Sequence, residues 1–192
     1  MDKLKELLIS ETIYKPSDEV IDEFLSYAEE KIFEPYEPVI DIDTVNPDIY
    51  ILKDGVLFKS VFNNGQEITH SFATPGTMAV SYDSMLMGEP SRVRIATCCR
   101  CTILHIRKED YQKMIDTRPD FVKWMLGMSQ YQLYATDVKT SIVQGDAMLR
   151  YKRLMTVRPD ILRYVPLKMI ASYLGITQQH LSRIRATLKT AK

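Results

Sequence analysis

Residues 167–185, LKMIASYLGITQQHLSRIR, predict two short helices joined by a tight turn, and they constrain the fold more than any other segment. Ile170 and Leu174 fall on one face of a first helix. Gly175 follows at the turn, where a residue without a Cβ adopts a positive φ at low cost. Thr177 is placed to cap the second helix through its hydroxyl. The spacing therefore predicts a helix-turn-helix unit.

The second helix of this unit has two chemically different faces. Leu181, Ile184 and Leu188 recur at helical spacing and predict the face that packs inward. The outward residues are polar or basic, and none is an acid: Gln178, Gln179, Ser182, Arg183 and Arg185. Because Gln suits adenine and Arg suits guanine, this face is typical of a helix that reads the major groove of DNA. A buried helical hairpin with a polar outer face would show the same spacing, so the motif alone leaves both interpretations open.

Charge is distributed unevenly along the chain. The whole sequence holds 25 basic and 25 acidic residues, but residues 148–192 hold ten Lys or Arg and one acid, Asp160. That segment therefore carries +9, and residues 1–147 carry −9. A basic end that also bears a helix-turn-helix pattern favours DNA as the partner. Lys168 and Thr177 are expected to contact phosphates, as a flanking cation and a helix N-terminus would.

Composition sets further bounds on the class of protein. With 45% hydrophobic and 26% charged residues, the chain resembles ordinary globular proteins. No apolar run approaches the ~20 residues that span a bilayer, and the N-terminus MDKLKELLISET lacks the features of a signal peptide. We therefore expect no membrane partner. Cys98, Cys99 and Cys101 are an odd number of cysteines with no others to pair with, which favours a cytoplasmic location.

The apolar residues at the start of the chain recur at helical spacing, and from about Val39 to Ile106 they recur with a period of two. Ser17 is expected to cap a helix that has Asp18 and Glu19 in its first turn. Residues 80–88 predict a short helix that interrupts the strands. The candidate strands are 49–52, 56–62, 68–72, 93–96 and 102–106. Short strands with Gly and Asn turns between the early ones predict an antiparallel barrel or sandwich.

A long helix is predicted next, with Thr117 as its cap and Pro119 in its first turn. Its apolar residues alternate at spacings of three and four: Phe121, Trp124, Met128, Tyr131, Ala135, Val138 and Ile142. Such a stripe is typical of a helix packed on its own barrel or of a seam between two copies. Because the stripe is narrow and long, we expect it to be the seam of a homodimer. Gly145 is expected to be a hinge before the basic segment.

The order of these elements, from helix to barrel to long helix to helix-turn-helix, resembles the Crp/Fnr family of bacterial transcription regulators. The resemblance is carried by IYILKDGVLFKSVFNNGQEITHSFATPG in the barrel and by VPLKMIASYLGITQQHLSRIRATL at the end. It implies an α+β fold with an antiparallel β-barrel or jelly roll of the cyclic-nucleotide-binding type, a long dimerisation helix and a C-terminal helix-turn-helix. The corresponding parts are residues 1–116, 117–146 and 147–192.

The resemblance implies a cytoplasmic, homodimeric regulator that reads a near-palindromic site in double-stranded DNA. It also implies RNA polymerase as a partner and a small-molecule effector of unknown identity. By this likeness Gln178, Gln179 and Arg183 occupy the positions that touch base edges in relatives. A β-hairpin wing usually follows the recognition helix in relatives, whereas only residues 189–192 follow here, so we expect no wing.

The effector pocket departs from the family pattern. Relatives that bind cyclic nucleotides use a Gly-Glu pair for the ribose, then Arg and Ser or Thr for the phosphate. Here the dipeptide at 80–81 is Val-Ser, and the segment GEPSRVR offers Ser before Arg. Without the ribose carboxylate a buried hydroxyl pair would be unsatisfied, so cyclic AMP is not expected. The candidate pocket residues are Gly76, Ser81, Ser91, Arg92 and Arg94, and the two arginines are alternatively exposed charges on an outward face.

Other chemistry has less support in the sequence. The three cysteines lack the separated pairs of a zinc or iron–sulfur site, and we expect them to pack as small apolar residues. A cupin-type enzyme needs converging His and carboxylate ligands, whereas His70, His105 and His180 are isolated. We therefore predict no enzyme activity, no cofactor and no metal. The remaining alternative is a ligand-sensing barrel protein whose basic helical C-terminus binds a protein partner.

Overall fold

The computed structural model describes residues 2–10, 12–159 and 161–190, with all their side chains except those of Asp2, Lys139 and Thr190. Two parts of the sequence predictions lie outside the described residues. They are Asp160, the acid counted in the basic segment, and residues 191–192, which belong to the short stretch after the recognition helix. The strands are β1 (Glu29–Phe33), β2 (Pro38–Ile40), β3 (Ile49–Asp54), β4 (Leu57–Asn63), β5 (Gln66–Ala73), β6 (Met78–Ala79), β7 (Arg94–Thr97) and β8 (Cys101–Ile106). The helices are α1 (Asp2–Ser10), α2 (Asp18–Ser26), α3 (Lys108–Thr117), α4 (Pro119–Val143), α5 (Ala147–Val157), α6 (Ile161–Tyr164), α7 (Leu167–Tyr173) and α8 (Gln178–Thr190), with a π-helix at Asp83–Met87.

The strands form two four-stranded antiparallel sheets in jelly-roll order. The first sheet runs β1–β8–β3–β6 and the second runs β2–β7–β4–β5. The five predicted strands and the short helix between them are confirmed, as β3, β4, β5, β7, β8 and the π-helix. The sequence did not predict β1, β2 or β6, because these strands are short or carry exposed acids and a proline. The predicted fold class, an antiparallel jelly roll with helices, is confirmed.

Alternate residues of each strand face opposite sides, so the core has three separate layers. Tyr50 and Leu52 of β3 face the inside of the barrel, while Ile49 and Ile51 face the helices α1 to α4. In the second sheet, Phe58 of β4 packs against the C-terminal helices α5 to α8. The barrel therefore lies between two groups of helices. The predicted division of the chain into three parts, with boundaries after residues 116 and 146, stays a prediction.

Two helix starts differ in how well the sequence predicted them. The Ser17 hydroxyl accepts the hydrogen bond of an amide three residues on, so the predicted cap of α2 is confirmed. Pro119 is in the first turn of α4, as predicted. The expected cap at Thr117 is wrong, because α3 continues to this residue and the Thr117 hydroxyl donates to the Lys113 carbonyl. Gly145, between α4 and α5, has a φ of +88°, and its role as a hinge stays a prediction.

Helix α4 turns the predicted dimer seam toward its own chain. Phe121 and Trp124 are 0% exposed and make edge contacts with each other at 5.8 Å. Met128 lies in the same cluster, and Ile142 is buried under the second sheet. Tyr131, Ala135 and Val138 are half-buried between them. The buried side chains of Phe121, Trp124, Met128 and Ile142 fill the core of their own chain, so the prediction that these four face a second copy is wrong. That the half-buried residues of the stripe contribute to a dimer stays a prediction.

Candidate DNA-recognition surface

Helices α7 and α8 and the turn between them form the predicted helix-turn-helix unit. Gly175 at the turn has a φ of +65°, the left-handed conformation that favours glycine. The Thr177 hydroxyl accepts a hydrogen bond from the His180 amide at 3.2 Å, so the predicted cap of α8 is confirmed. Leu181 and Ile184 are 0% and 5% exposed, so the predicted inward face of α8 is also confirmed.

The opposite face of α8 is open to solvent. Its side chains are exposed and make no hydrogen bond or ion pair within the described ranges: Gln178, Gln179, Ser182, Arg183 and Arg185. An open depression at the start of α8 is lined by Thr177 and three of these residues. Lys168 is exposed in the first turn of α7, and its neighbour Leu167 lines a second depression with Arg185 and Lys189. The structure thus gathers the predicted residues on one helix pair, while their DNA contacts stay predictions.

Two arginines of the basic segment have structural roles that the charge count did not predict. Arg150 of α5 donates to the Leu174 carbonyl at 2.5 Å, at the end of α7. Arg153 donates to the carbonyls of Ser141 and Gln144 at 2.6 and 3.3 Å, where α4 ends. A cation stabilises the unpaired carbonyls of a helix C-terminus. These bonds join α5 to the C-terminal ends of α4 and α7. No signal in the local sequence shows which helix ends the two arginines meet.

The serines of the candidate effector pocket bond to one another. The Ser81 hydroxyl donates to Ser91 Oγ at 2.8 Å, and the Ser91 hydroxyl donates to the Val93 carbonyl at 2.8 Å. Both serines are 0% exposed. Gly76 has a φ of +94°, and a Cβ added there would lie 2.7 Å from Leu7 Cβ of α1. Gly76 therefore permits close packing of α1 against the loop.

The two arginines of this pocket form ion pairs with acids of the barrel. Arg92 is exposed and donates to Asp83 Oδ1 of the π-helix, at 2.5 Å from Nη2 and 3.0 Å from Nε. Arg94 is half-buried and donates to Asp41 Oδ1 at 2.8 Å. These hydrogen bonds hold the pKa of Asp83 and of Asp41 below the ordinary value of 3.8. The exposed-charge interpretation fits Arg92, whereas Arg94 is a half-buried partner in its ion pair with Asp41.

Cys98, Cys101 and His105 occupy structural positions. Cys98 and Cys101 are buried in different clusters, and burial raises the pKa of each thiol to about 12. His105 Nε2 lies 2.7 Å from Asp48 Oδ2, and its ring stacks on Tyr50. Among the residues that the structure describes, no group of three or more His, Cys, Asp or Glu is placed to hold a metal. The helices in these ranges are all too short or too polar to cross a membrane.

A jelly roll followed by a long helix and a terminal helix-turn-helix is the architecture of Crp/Fnr-type regulators, and comparison with solved structures shows that this chain has that fold. The c-di-GMP-responsive global regulator CLP of Xanthomonas campestris is similar at a TM-score of 0.71 and 14% identity, over 91% of this chain and 93% of CLP. FixK2 of Bradyrhizobium japonicum is similar at 0.68 and 17%, over 85% of both chains. A CooA variant of Carboxydothermus hydrogenoformans is similar at 0.65 and 19%, over 92% of this chain and 87% of CooA. No protein-family model matches the sequence, and no curated protein matches it.

Proposed function

We propose that the protein is a DNA-binding transcription regulator of the Crp/Fnr type, a cytoplasmic homodimer that reads a near-palindromic operator. The observation that carries this proposal is the outward face of α8, which exposes glutamine and arginine side chains that bond to nothing in the described chain. Such side chains offer the paired hydrogen bonds that base edges accept. We assign Arg183 to a guanine and Gln178 and Gln179 to neighbouring bases.

The charge distribution supports the same orientation on DNA. The segment 148–192 carries +9, and the preceding residues carry −9. Phosphates therefore attract the helix-turn-helix end of the molecule and repel the barrel. Lys168 and Thr177 are the phosphate contacts in this arrangement.

The outer face of α4 supports a homodimer. Its large apolar side chains are open to solvent in the single chain: Val122, Leu126, Leu133 and Tyr134, at 40%, 59%, 71% and 62% exposure. Pairing of this face around a two-fold axis would bury them. The two α8 helices of such a dimer would enter successive major grooves about 34 Å apart.

The bonds within the barrel argue against cyclic AMP as the effector. A phosphate at Arg92 or Arg94 would have to displace Asp83 or Asp41 from the guanidinium group. A ribose hydroxyl would meet Ser81 and Ser91, which already bond to each other. RNA polymerase and an effector of another class stay expectations from the family likeness.

Selection of binding sites from random DNA by the purified protein tests the function. We expect a two-fold symmetric motif, and we expect Arg183→Ala to lose about 1–3 kcal/mol of binding per half-site and to relax one position in each half-site. Arg100→Ala is the matched control, because Arg100 is an exposed arginine between β7 and β8. Equal loss on every sequence would instead make Arg183 a phosphate contact. Recovery of no motif, both without ligand and with a panel of candidate metabolites, would refute the DNA-reading function and favour a protein partner.

Sedimentation velocity tests the dimer face. We expect Leu126→Arg combined with Leu133→Arg to give a monomer, because two buried charges would face each other across the axis. Ile32→Arg is the control, since Ile32 is 55% exposed on β1, away from α4. Loss of the second half-site contact should lower operator affinity by at least about tenfold. A wild-type protein that sediments as a monomer at the concentrations used for DNA binding would contradict the dimer.

A further inference from the structure

The helix-turn-helix unit packs on the barrel of its own chain through one continuous hydrophobic cluster. Phe58 and Phe72 contribute to it from the second sheet, and Ile170 and Tyr173 contribute from α7. All four side chains are buried, and the rings of Phe72 and Tyr173 lie 5.3 Å apart. The inward residues of α8 belong to the same cluster. The core of the DNA-reading unit is therefore continuous with its contact on the barrel.

A β-bulge in β5 adds a specific hydrogen bond to this contact. The pairing of β4 with β5 shifts so that Lys59 faces Ser71 and Ser60 faces Thr69, which leaves His70 as an extra residue. A bulge disrupts the ladder locally and redirects the backbone. The Thr69 amide donates to Ser172 Oγ of α7 at 3.0 Å, and Thr69 is only 7% exposed. Because a buried amide needs an acceptor, this bond favours one position of α7 on the barrel.

We propose that this contact, the β5 seat formed by Thr69, Phe72, Ser172 and Tyr173, holds the DNA-reading unit in the orientation that binds the operator. The inference rests on the proposed function and adds a role for the barrel surface. Thr69 and Ser172 are positioning residues, since they act on DNA binding through the placement of α8.

The geometry favours a β5 seat that leaves the outward face of α8 accessible to DNA over one that covers it. The seat uses residues of α7 and leaves Gln178, Gln179 and Arg183 of α8 exposed. Opening the seat would expose Phe58, Phe72 and Tyr173 to water, so the closed arrangement is the stable one. A reading face that is free and already oriented loses less conformational freedom when DNA binds.

A disulfide across the seat tests this inference. The 3.0 Å distance between the Thr69 amide nitrogen and Ser172 Oγ brings the two backbones within reach of a disulfide. We would combine Thr69→Cys and Ser172→Cys in the full chain with Cys99→Ser, because Cys99 is the half-exposed native cysteine. Oxidised glutathione is the oxidant. It takes two electrons and two protons from the two introduced thiols, which form the disulfide, and two molecules of reduced glutathione are released. Thr69→Cys with Ser26→Cys is the control pair, since Ser26 lies on α2 over the other sheet.

We expect the seat pair to cross-link and the control pair not to, as peptide mass spectrometry will show. The cross-linked protein should bind the selected operator within about twofold of its reduced form. Loss of more than about tenfold in affinity, restored by reduction, would mean that the closed seat inhibits DNA binding. Failure of the seat pair to cross-link would show that the contact is not formed in solution. Either result overturns the inference while leaving the proposed function intact, whereas a wild-type protein that selects no DNA refutes both.

Discussion

The two polar clusters of the chain, the residues 76–94 of the barrel and the outward face of α8, use similar side chains but differ in their bonding. In the barrel cluster, Ser81 bonds to Ser91 and both arginines bond to aspartates. On α8, Gln178 and Arg183 have no partner in the described residues. A polar group that is already satisfied gains little from a ligand. Unpaired exposure, more than residue type, therefore distinguishes the proposed binding surface from the barrel cluster.

Ser91→Ala should have the largest effect on stability among the substitutions that test the barrel cluster. The substitution removes the acceptor of the Ser81 hydroxyl and leaves that hydroxyl buried and unpaired. We therefore expect the free energy of unfolding to fall by about 1–3 kcal/mol. Specific DNA affinity, measured by fluorescence anisotropy, should change less than about twofold, because the cluster does not touch DNA. Ser26→Ala is the control, since Ser26 is exposed and bonds within α2. A changed DNA motif in Ser91→Ala would make the barrel cluster a functional site.

Lys168→Ala tests whether the exposed lysine of α7 contacts a phosphate. Loss of one phosphate contact from each protomer of the proposed dimer should weaken binding evenly on all sequences and lower the salt slope of log K by about 0.9 per protomer, or about 1.8 for the dimer. Lys15→Ala, an exposed lysine before α2, is the matched control and should leave the slope unchanged. The slopes follow from titrations at several salt concentrations. A loss confined to one sequence would instead assign Lys168 to a base.

Acid should weaken the barrel cluster by a small amount and leave the α8 face unaffected. The pKa values of Asp83 and Asp41 are lowered by their hydrogen bonds to Arg92 and Arg94. A carboxylate whose pKa is lower in the folded than in the unfolded protein stabilises the fold at pH values above its unfolded pKa, which is about 4. This stabilisation is lost as the pH falls through the lower pKa of the folded state. We expect Asp83→Asn to show a smaller fall in Tm between about pH 5 and pH 3 than the wild type. Asp137→Asn, on the exposed side of α4, should retain the wild-type fall, and an unchanged slope in Asp83→Asn would contradict the role of this ion pair.

Much of the helix-turn-helix unit could be predicted because its signals are local. The turn glycine, the cap at Thr177 and the inward positions of α8 all follow from spacing within about 20 residues. The strands with alternating apolar residues were predictable for the same reason. Glu29–Phe33 was missed because its exposed acids and lack of alternation hide an edge strand, whose partner β8 is more than 60 residues away.

The errors concern contacts that are distant in sequence. The stripe from Phe121 to Ile142 correctly indicates a buried face of α4, but spacing does not say whether the chain itself or a second copy covers it. The bond between Ser81 and Ser91 depends on the course of the π-helix between them. Likewise, the bond from Thr69 to Ser172 joins residues 103 apart, which no local pattern predicts.

The cluster shared by the second sheet and α5 to α8 makes unfolding of the barrel and of the DNA-reading unit a cooperative event. We therefore expect the strands and α8 to melt in one transition, so that stabilisation of either part protects the other. Operator DNA at about 100 times its Kd adds about 2.7 kcal/mol to the free energy of unfolding of the whole unit. Amide hydrogens of β4 and β7, which lie outside the proposed DNA contacts, are consequently expected to exchange with solvent more slowly when the operator is bound.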